Sequence, residues 1–440
     1  MRTLLAALLV VASLGSAGRA RAADACRTGA SELGDERALA AVRAACDCDG
    51  APSRAAYRRC AHDAVAVALA TGALRTACRR TARVDVDSST CGTARVACGR
   101  PSGAGGACRV TTGPACQGRA RTACTALEHC PDVVTWTAGT CDDPRAPGPW
   151  GVGVRTVRLQ KPSVVDPTQP RTLDVVVWYP TTPGAGPVDA SLKGVVDAPV
   201  AAGDGPWPLV MFSHGSCGYP AQSTFLTTVL ASRGFVVAAP PHPGNTLFEF
   251  PTCGTAQAQV ASFRERPADV QFTLDAMLAA TADPASPFSG AVDPDRVGMM
   301  GHSFGGLTTF LAATTDPRYK VAVPLAPATP GHPVLTIPSL IGLGAIDSVV
   351  SDPAARDAFA AAARPKMLFE VGDAGHYAFS DLCFPASDCN PPVTRTQAEA
   401  HALVLRYVVP FLEVYLAGHA DAAALLDAPP VPGVVVRDER

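Results

Sequence analysis

Val297, Met299 and Met300 form a short apolar run. From there the chain passes through Gly301-His302-Ser303-Phe304-Gly305 into Leu307–Ala313, where apolar residues recur at helical spacing. The segment reads as strand, sharp turn and helix, with Ser303 at the apex. Such a turn needs glycine two residues before and two after the serine, because strand and helix approach closely there, and it lifts Oγ above the end of the sheet. The first helical N–H groups have no acceptor within the helix and point to the same place, where an oxyanion can be held. With 39 glycines in 440 residues, a bare G-x-S-x-G arises easily by chance. The flanking strand and helix give this one chemical meaning.

The neighbouring segments set the fold class. Val154–Leu159, Leu173–Tyr179, Leu209–Phe212, Phe235–Ala239, Val321–Leu325, Ser339–Leu343 and Met367–Val371 read as strands. Gln222–Arg233, Val260–Ala280, Pro353–Ala363 and the stretch around Gln397–Leu416 read as helices. This alternation predicts an α/β fold, a mainly parallel sheet with helices on both faces. The site of such a sheet lies at the carboxyl ends of its strands, which is where partners for Ser303 are expected.

A base able to take the Ser303 proton near neutral pH points to histidine. His376 follows Met367–Val371 in Gly372-Asp373-Ala374-Gly375-His376, a loop suited to a strand end. His302 should point away from the serine, and His401 and His419 are expected at the surface. Asp347, which ends Ile341–Ile346, completes the chain order Ser, Asp, His. Asp373 is the alternative acid, but three residues before His376 on the same loop it is poorly placed to reach the far ring nitrogen. The backbone N–H groups of Phe304 and Ser216 are the expected oxyanion donors. His214, Tyr219, His242 and Tyr377 are candidates for lining the substrate cleft. Cys217 with Cys253, and Cys383 with Cys389, are proposed disulfides. The pattern calls for no cofactor and no metal.

Cysteine usage divides the chain. Twelve of the 16 cysteines fall between Cys26 and Cys141. Met1–Ala22 has the charge, apolar core and small-x-small end of a secretory signal, so an oxidising, extracytoplasmic compartment, secreted, periplasmic or at the cell surface, is expected. Residues 23–145 carry few large apolar side chains, with short helices expected over Asp35–Ala45 and Arg54–Ala70. Cross-links would have to stabilise such a module. Cys46-x-Cys48 without paired C-x-x-C units makes a metal site the weaker reading. Nothing identifies a ligand, so a role in binding a surface or another protein stays open. Asp142–Pro149 reads as a linker, and residues 150–440 as the catalytic domain. A net charge of −2 gives no electrostatic case for nucleic acid, and no segment after the signal reads as transmembrane.

Several pieces carry a resemblance: Trp178-Tyr179-Pro180, Phe212-Ser213-His214-Gly215, Gly234–Thr246, Arg266-Pro267-Ala268-Asp269-Val270 and Gly301–Gly306. From about Val152 the chain resembles the α/β-hydrolase superfamily, in particular the platelet-activating-factor acetylhydrolase and "predicted dienelactone hydrolase" group. The resemblance implies a metal-independent serine esterase working through an acyl-enzyme. Dienelactone hydrolases themselves use a cysteine where this chain has Ser303. The acetylhydrolases place the acid where this chain has Leu325-Ala326-Pro327, so Asp347 is closer to the cutinase-like arrangement. Cutinase-like enzymes carry an aromatic residue where Ala328 stands. The implied activity is hydrolysis of short-to-medium acyl esters, the substrate being a small-molecule or lipid ester. A lipase or cutinase-like polyester hydrolase is the alternative. An inactive hydrolase fold serving a surface binding protein is a reading from another class. A peptidase has no positive signal.

Overall fold

The computed structural model describes residues 46, 53–87, 95–100, 107–112, 122–124, 145, 147–328, 331–350, 352–382, 393, 395–427 and 433–440. The expected signal segment, the helix expected over 35–45, and Cys383 with Cys389 lie outside the described residues. The chain divides into two compact units.

The first unit contains helices α1 (Arg54–Ala70) and α2 (Arg79–Asp87). Ser53 starts α1 by accepting the Ala56 N–H on its side chain at 3.2 Å. Tyr57, Ala61 and Val65 recur every four residues on the buried face and meet Leu74, Cys78, Ala82 and Val86. A disulfide joins Cys46 to Cys60. The core is small, as the composition implies, and α2 was not foreseen because its sequence is mostly polar. A three-stranded sheet of β1 (Arg95–Arg100), β2 (Ala107–Thr112) and β3 (Thr122–Cys124) follows in sequence, in the order β2-β1-β3.

The second unit is built on a ten-stranded sheet. Its strands are β4 (Gly151–Pro162), β5 (Pro170–Thr181), β6 (Val195–Val196), β7 (Trp207–Ser213), β8 (Val236–Ala239), β9 (Val292–His302), β10 (Tyr319–Leu325), β11 (Ser339–Gly344), β12 (Lys366–Val371) and β13 (Val434–Glu439). Their spatial order is β13-β12-β11-β10-β9-β7-β8-β5-β4-β6. From β12 to β8 every pairing is parallel. The β4–β5, β5–β8 and β12–β13 pairings are antiparallel. β13 was not anticipated, because Val434–Val436 is short and half of it is solvent-facing.

Alternate residues of the central strands enter two separate cores. Val210, Phe212 and Met300 join one, Leu209, Met211 and Met299 the other. α3 (Thr224–Ser232) and α7 (Gln397–Leu412) cover the first face. α4 (Ala256–Ala282), α5 (Phe304–Thr315) and α6 (Asp352–Ala361) cover the second. Both faces are therefore dry, which is why these strands read as unbroken apolar runs. With the following turn, α7 is long and apolar enough to cross a membrane, but 72% of that stretch is buried in the fold.

β7 has β8 on one side and β9 on the other. From β7 the chain passes to β8 on one side, and from β9 to β10 on the other, a reversal that opens a crevice at the carboxyl ends of β7 and β9. The loops after β7 and β9 meet there.

Candidate active site

Ser303 holds φ 58° and ψ −117°, a conformation that residues with a Cβ rarely adopt. The surroundings determine it. The Ser303 N–H donates to Leu325 O at 2.9 Å, and its carbonyl accepts from Ala328 N at 2.9 Å and Leu307 N at 3.1 Å. A Cβ on Gly305 would drive into the Ser213 carbonyl and lie 2.9 Å from His214 O. A Cβ on Gly301 would overlap the Gly305 carbonyl. The two glycines thus let α5 start against the end of β7. Ser303 is 8% exposed.

His376 and Asp347 come from the loops after β12 and β11, which are neighbouring parallel strands. The His376 Nδ1–H donates to Asp347 Oδ2 at 2.8 Å. Asp347 Oδ1 accepts the N–H groups of Val349 at 2.8 Å and Val350 at 2.9 Å. Three donors thus converge on one carboxylate and fix its orientation. The two loops are pressed together: Ile346 N donates to Ala374 O at 3.1 Å. Asp373, the alternative acid, is exposed and in the left-handed region at φ 55°. Tyr377 is partly exposed, edge-on to the His376 ring at 5.5 Å.

His302 is buried and ties this pair to the serine's own turn. Its Nε2–H donates to the His376 carbonyl at 3.0 Å, and its Nδ1 accepts from Gln222 Nε2 at 3.0 Å. Burial first, and then the neighbouring His376, hold its ring well below the usual imidazole range. It is a neutral brace between the two loops.

The loop Gly215–Gly218 faces the serine, since a Cβ on Gly215 would lie 3.3 Å from Ser303 Cβ. Gln222 Oε1 accepts the Gly215 N–H at 2.9 Å. A disulfide joins Cys217 to Cys253, the pairing expected. Ser216 is exposed, and its Oγ accepts from Asn245 Nδ2 at 3.2 Å and Gln259 Nε2 at 2.5 Å. Tyr219 stands at one side of a cleft of about 690 Å³, with Phe248, Leu192, Val176, Pro241 and Pro243.

Two expected lining residues are corrected. His214 and His242 are both 0% exposed and are engaged behind the Gly215–Gly218 loop. The His214 Nδ1–H donates to Gly215 O at 2.7 Å, and its Nε2 accepts the His242 backbone N–H at 3.1 Å. The His242 Nδ1–H donates to Asp269 Oδ2 at 3.0 Å, while Ser213 Oγ–H donates to its Nε2 at 2.8 Å. Every ring nitrogen is already engaged, so neither ring serves the cleft. Burial, reinforced by the Arg266 charge, pushes both well below the usual range. His401 also departs from expectation. It stacks on Phe225 with ring centroids 3.6 Å apart and donates from Nε2 to Ser380 O.

The sequence reading missed the ionic layer beneath the site. Arg266 is fully buried, and its guanidinium donates to His214 O at 2.5 Å, Gly215 O at 3.0 Å and Asn245 Oδ1 at 2.6 Å. Burial draws it down to about 9, so it stays charged at neutral pH. Asp269, 0% exposed, takes a two-pronged contact from Arg171 at 2.7 Å and faces Lys161 at 3.3 Å. The signal was present: Glu265, Arg266 and Asp269 share the buried stripe of α4 with Val270, Thr273, Leu274 and Met277. A polar residue on an apolar stripe marks a paired charge.

Residues 192–382 match a family model described as PETase, PET hydrolase-like. The chain is 29% identical over 150 residues to a bis(hydroxyethyl) terephthalate hydrolase of Streptomyces coelicolor, covering 34% of this chain and 42% of that protein. It is 28% identical over 174 residues to cutinase est1 of Thermobifida alba, covering 38% and 53%. It is 24% identical over 164 residues to a platelet-activating factor acetylhydrolase of Cavia porcellus, covering 30% and 37%. The chain thus spans about half the length, or less, of these curated relatives. Among solved structures, a ferulic acid esterase from Streptomyces cinnamoneus aligns with a TM-score of 0.56 at 26% identity, covering 67% of this chain and 98% of that one.

Proposed function

We propose that this chain, a member of the α/β-hydrolase superfamily of serine esterases, is an extracytoplasmic carboxylic-ester hydrolase that uses Ser303, His376 and Asp347. The observation that carries the reading is the Asp347–His376 hydrogen bond, braced through His302 against the strained turn that presents Ser303.

In the proposed reaction His376 Nε2 takes the Ser303 hydroxyl proton as Oγ bonds to the ester carbonyl carbon. The carbonyl oxygen becomes an anion held by the Ser216 and Phe304 N–H groups. The C–O bond to the leaving group then breaks, and His376 returns its proton to the departing alkoxide. Water, deprotonated by His376, attacks the acyl-enzyme. The acid leaves as the proton returns to Ser303 Oγ. Asp347 fixes the ring tautomer and offsets the imidazolium charge.

The preferred substrates on this reading are short-to-medium acyl esters. A second reading, esters of aromatic acids or a polyester, is favoured by the match to the PET hydrolase-like family and by the names of the relatives, a terephthalate hydrolase and a cutinase. Against a polymer clamp stands Ala328, beside the serine, where cutinase-like enzymes carry an aromatic ring. Residues 1–22 are proposed as a signal peptide, 23–145 as an accessory module that binds a surface or another protein, and 150–440 as the catalytic domain.

The test is kcat/KM on p-nitrophenyl esters from acetate to palmitate and on bis(hydroxyethyl) terephthalate, with Ser303→Ala as control. A fall beyond short chains, abolished in the control, supports the small-acyl reading. Preference for the terephthalate moves it to the second. No turnover that depends on Ser303 overturns both.

A further inference from the structure

Three donors converge on a single carbonyl next to the serine. Gly215 O accepts from Arg266 Nη2 at 3.0 Å, from His214 Nδ1 at 2.7 Å and from the Gly218 N–H at 3.1 Å. That carbonyl belongs to the same peptide unit as the Ser216 N–H. In a planar trans peptide the C=O and N–H point in opposite directions. Holding the carbonyl inward therefore fixes the N–H outward, on the side away from Arg266.

Arg266 also touches the side chain of Phe304, the residue whose backbone carries the second expected oxyanion donor. Its guanidinium carbon lies 4.5 Å from the centre of the Phe304 ring. Its other nitrogen grips His214 O at 2.5 Å, the carbonyl one residue earlier in the same loop. No other described side chain contacts both the Gly215 carbonyl and the Phe304 ring among these interactions. The fork of a guanidinium is what lets one residue hold two successive carbonyls, a geometry that a lysine ammonium cannot reproduce. A buried cation on a carbonyl also polarises the peptide and strengthens its N–H as a donor.

We propose that Arg266 is a positioning residue for the oxyanion hole. From beneath, it aims and polarises the Gly215–Ser216 peptide so that the Ser216 N–H meets the developing oxyanion. It never touches substrate. The inference rests on the esterase reading above and goes beyond it by assigning a role to a residue outside the triad and its donors.

The test compares Arg266→Gln and Arg266→Lys with wild type, after wild-type turnover and its loss in Ser303→Ala have been scored. Arg266→Gln should lower kcat roughly 10²-fold, the scale of a lost oxyanion donor, with KM changed by less than about threefold. Affinity for a trifluoromethyl ketone, which forms a tetrahedral oxyanion adduct, should fall in step with kcat/KM. Affinity for the product carboxylate should hold. Arg266→Lys, which keeps the charge, should recover part of the loss. A merely structural role would lower the melting temperature without separating kcat from KM, or the ketone from the product. If neither Arg266 variant folds, His214→Phe, which removes another donor from the same carbonyl, should show the same signature at about tenfold, the scale of one hydrogen bond. Folded variants that keep wild-type kcat, or lose ketone and product affinity equally, overturn the role of Arg266 alone. Absence of Ser303-dependent turnover in wild type overturns the esterase reading and this inference with it.

Discussion

Asp347 accepts the Nδ1–H of His376 at 2.8 Å across two neighbouring strand ends, and the backbone of Val349 and Val350 occupies its other oxygen. The carboxylate is thus fixed in position at the Nδ1 edge of the imidazole. In Asp347→Asn the amide can keep the Val349 and Val350 contacts but offers no negative charge to an imidazolium. We expect kcat to fall roughly 10³–10⁴-fold, with a melting temperature close to wild type. A variant within tenfold of wild type would remove Asp347 from the mechanism.

Gly305 sits where any Cβ would enter the Ser213 carbonyl. Backbone on both sides leaves no flexible neighbour to move aside. Gly305→Ala should therefore cost about 3 kcal/mol or more, read from urea unfolding of the intact chain. A cost below about 1 kcal/mol would show that α5 and β7 can separate without penalty.

The Cys217–Cys253 bridge closes a loop of 36 residues in sequence separation. A crosslink of that span stabilises by about 4 kcal/mol in the chain-entropy account. Because Cys217 adjoins Ser216, the double variant Cys217→Ala/Cys253→Ala should lose kcat as well as stability. Urea midpoints together with kcat check this. A stability loss with unchanged kcat would confine the bridge to the fold.

Asp269 is buried beneath Arg171, Lys161 and His242. Asp269→Ala leaves the Arg171 and Lys161 cations and the His242 N–H without their central partner, and the expected cost is about 3–5 kcal/mol. Replacement by a residue that retains wild-type stability would mean that Glu265, which Lys161 also faces at 3.2 Å, absorbs the charge.

His214, His242 and His302 are all buried and held well below the ordinary imidazole range. Their rings stay neutral in the folded chain and protonate near pH 6.5 in the unfolded one. The unfolded state therefore binds more protons as pH falls through about 6.5, and stability is lost towards acid. Each ring contributes up to about 1.4 kcal/mol per pH unit below that point. Urea midpoints at pH 7.5, 6.0 and 5.0 should fall progressively. A flat series would contradict the neutral, buried assignment.

What the sequence by itself determined is local or periodic. Glycines at 301 and 305 around Ser303 encode a strand–helix turn, because no other residue fits the approach. Unbroken apolar runs such as Leu209–Phe212 encode strands buried on both faces, and the chain order after Ser303 drew attention to Asp347 and His376. The arrangement beneath the site was decided only by tertiary structure. His214 and His242 looked like lining residues because they end strands, yet side-chain direction and the packing of α4 turned them inward. Arg266 and Asp269 are charges on an apolar stripe, and their partners Arg171, Lys161 and Gly215 lie far away in sequence. Such pairing depends on desolvation and on contacts that exist only when the chain is folded, so residue types and spacing could not specify it. The same holds for β13: its short, half-exposed run becomes a strand because β12 offers an open edge to hydrogen-bond.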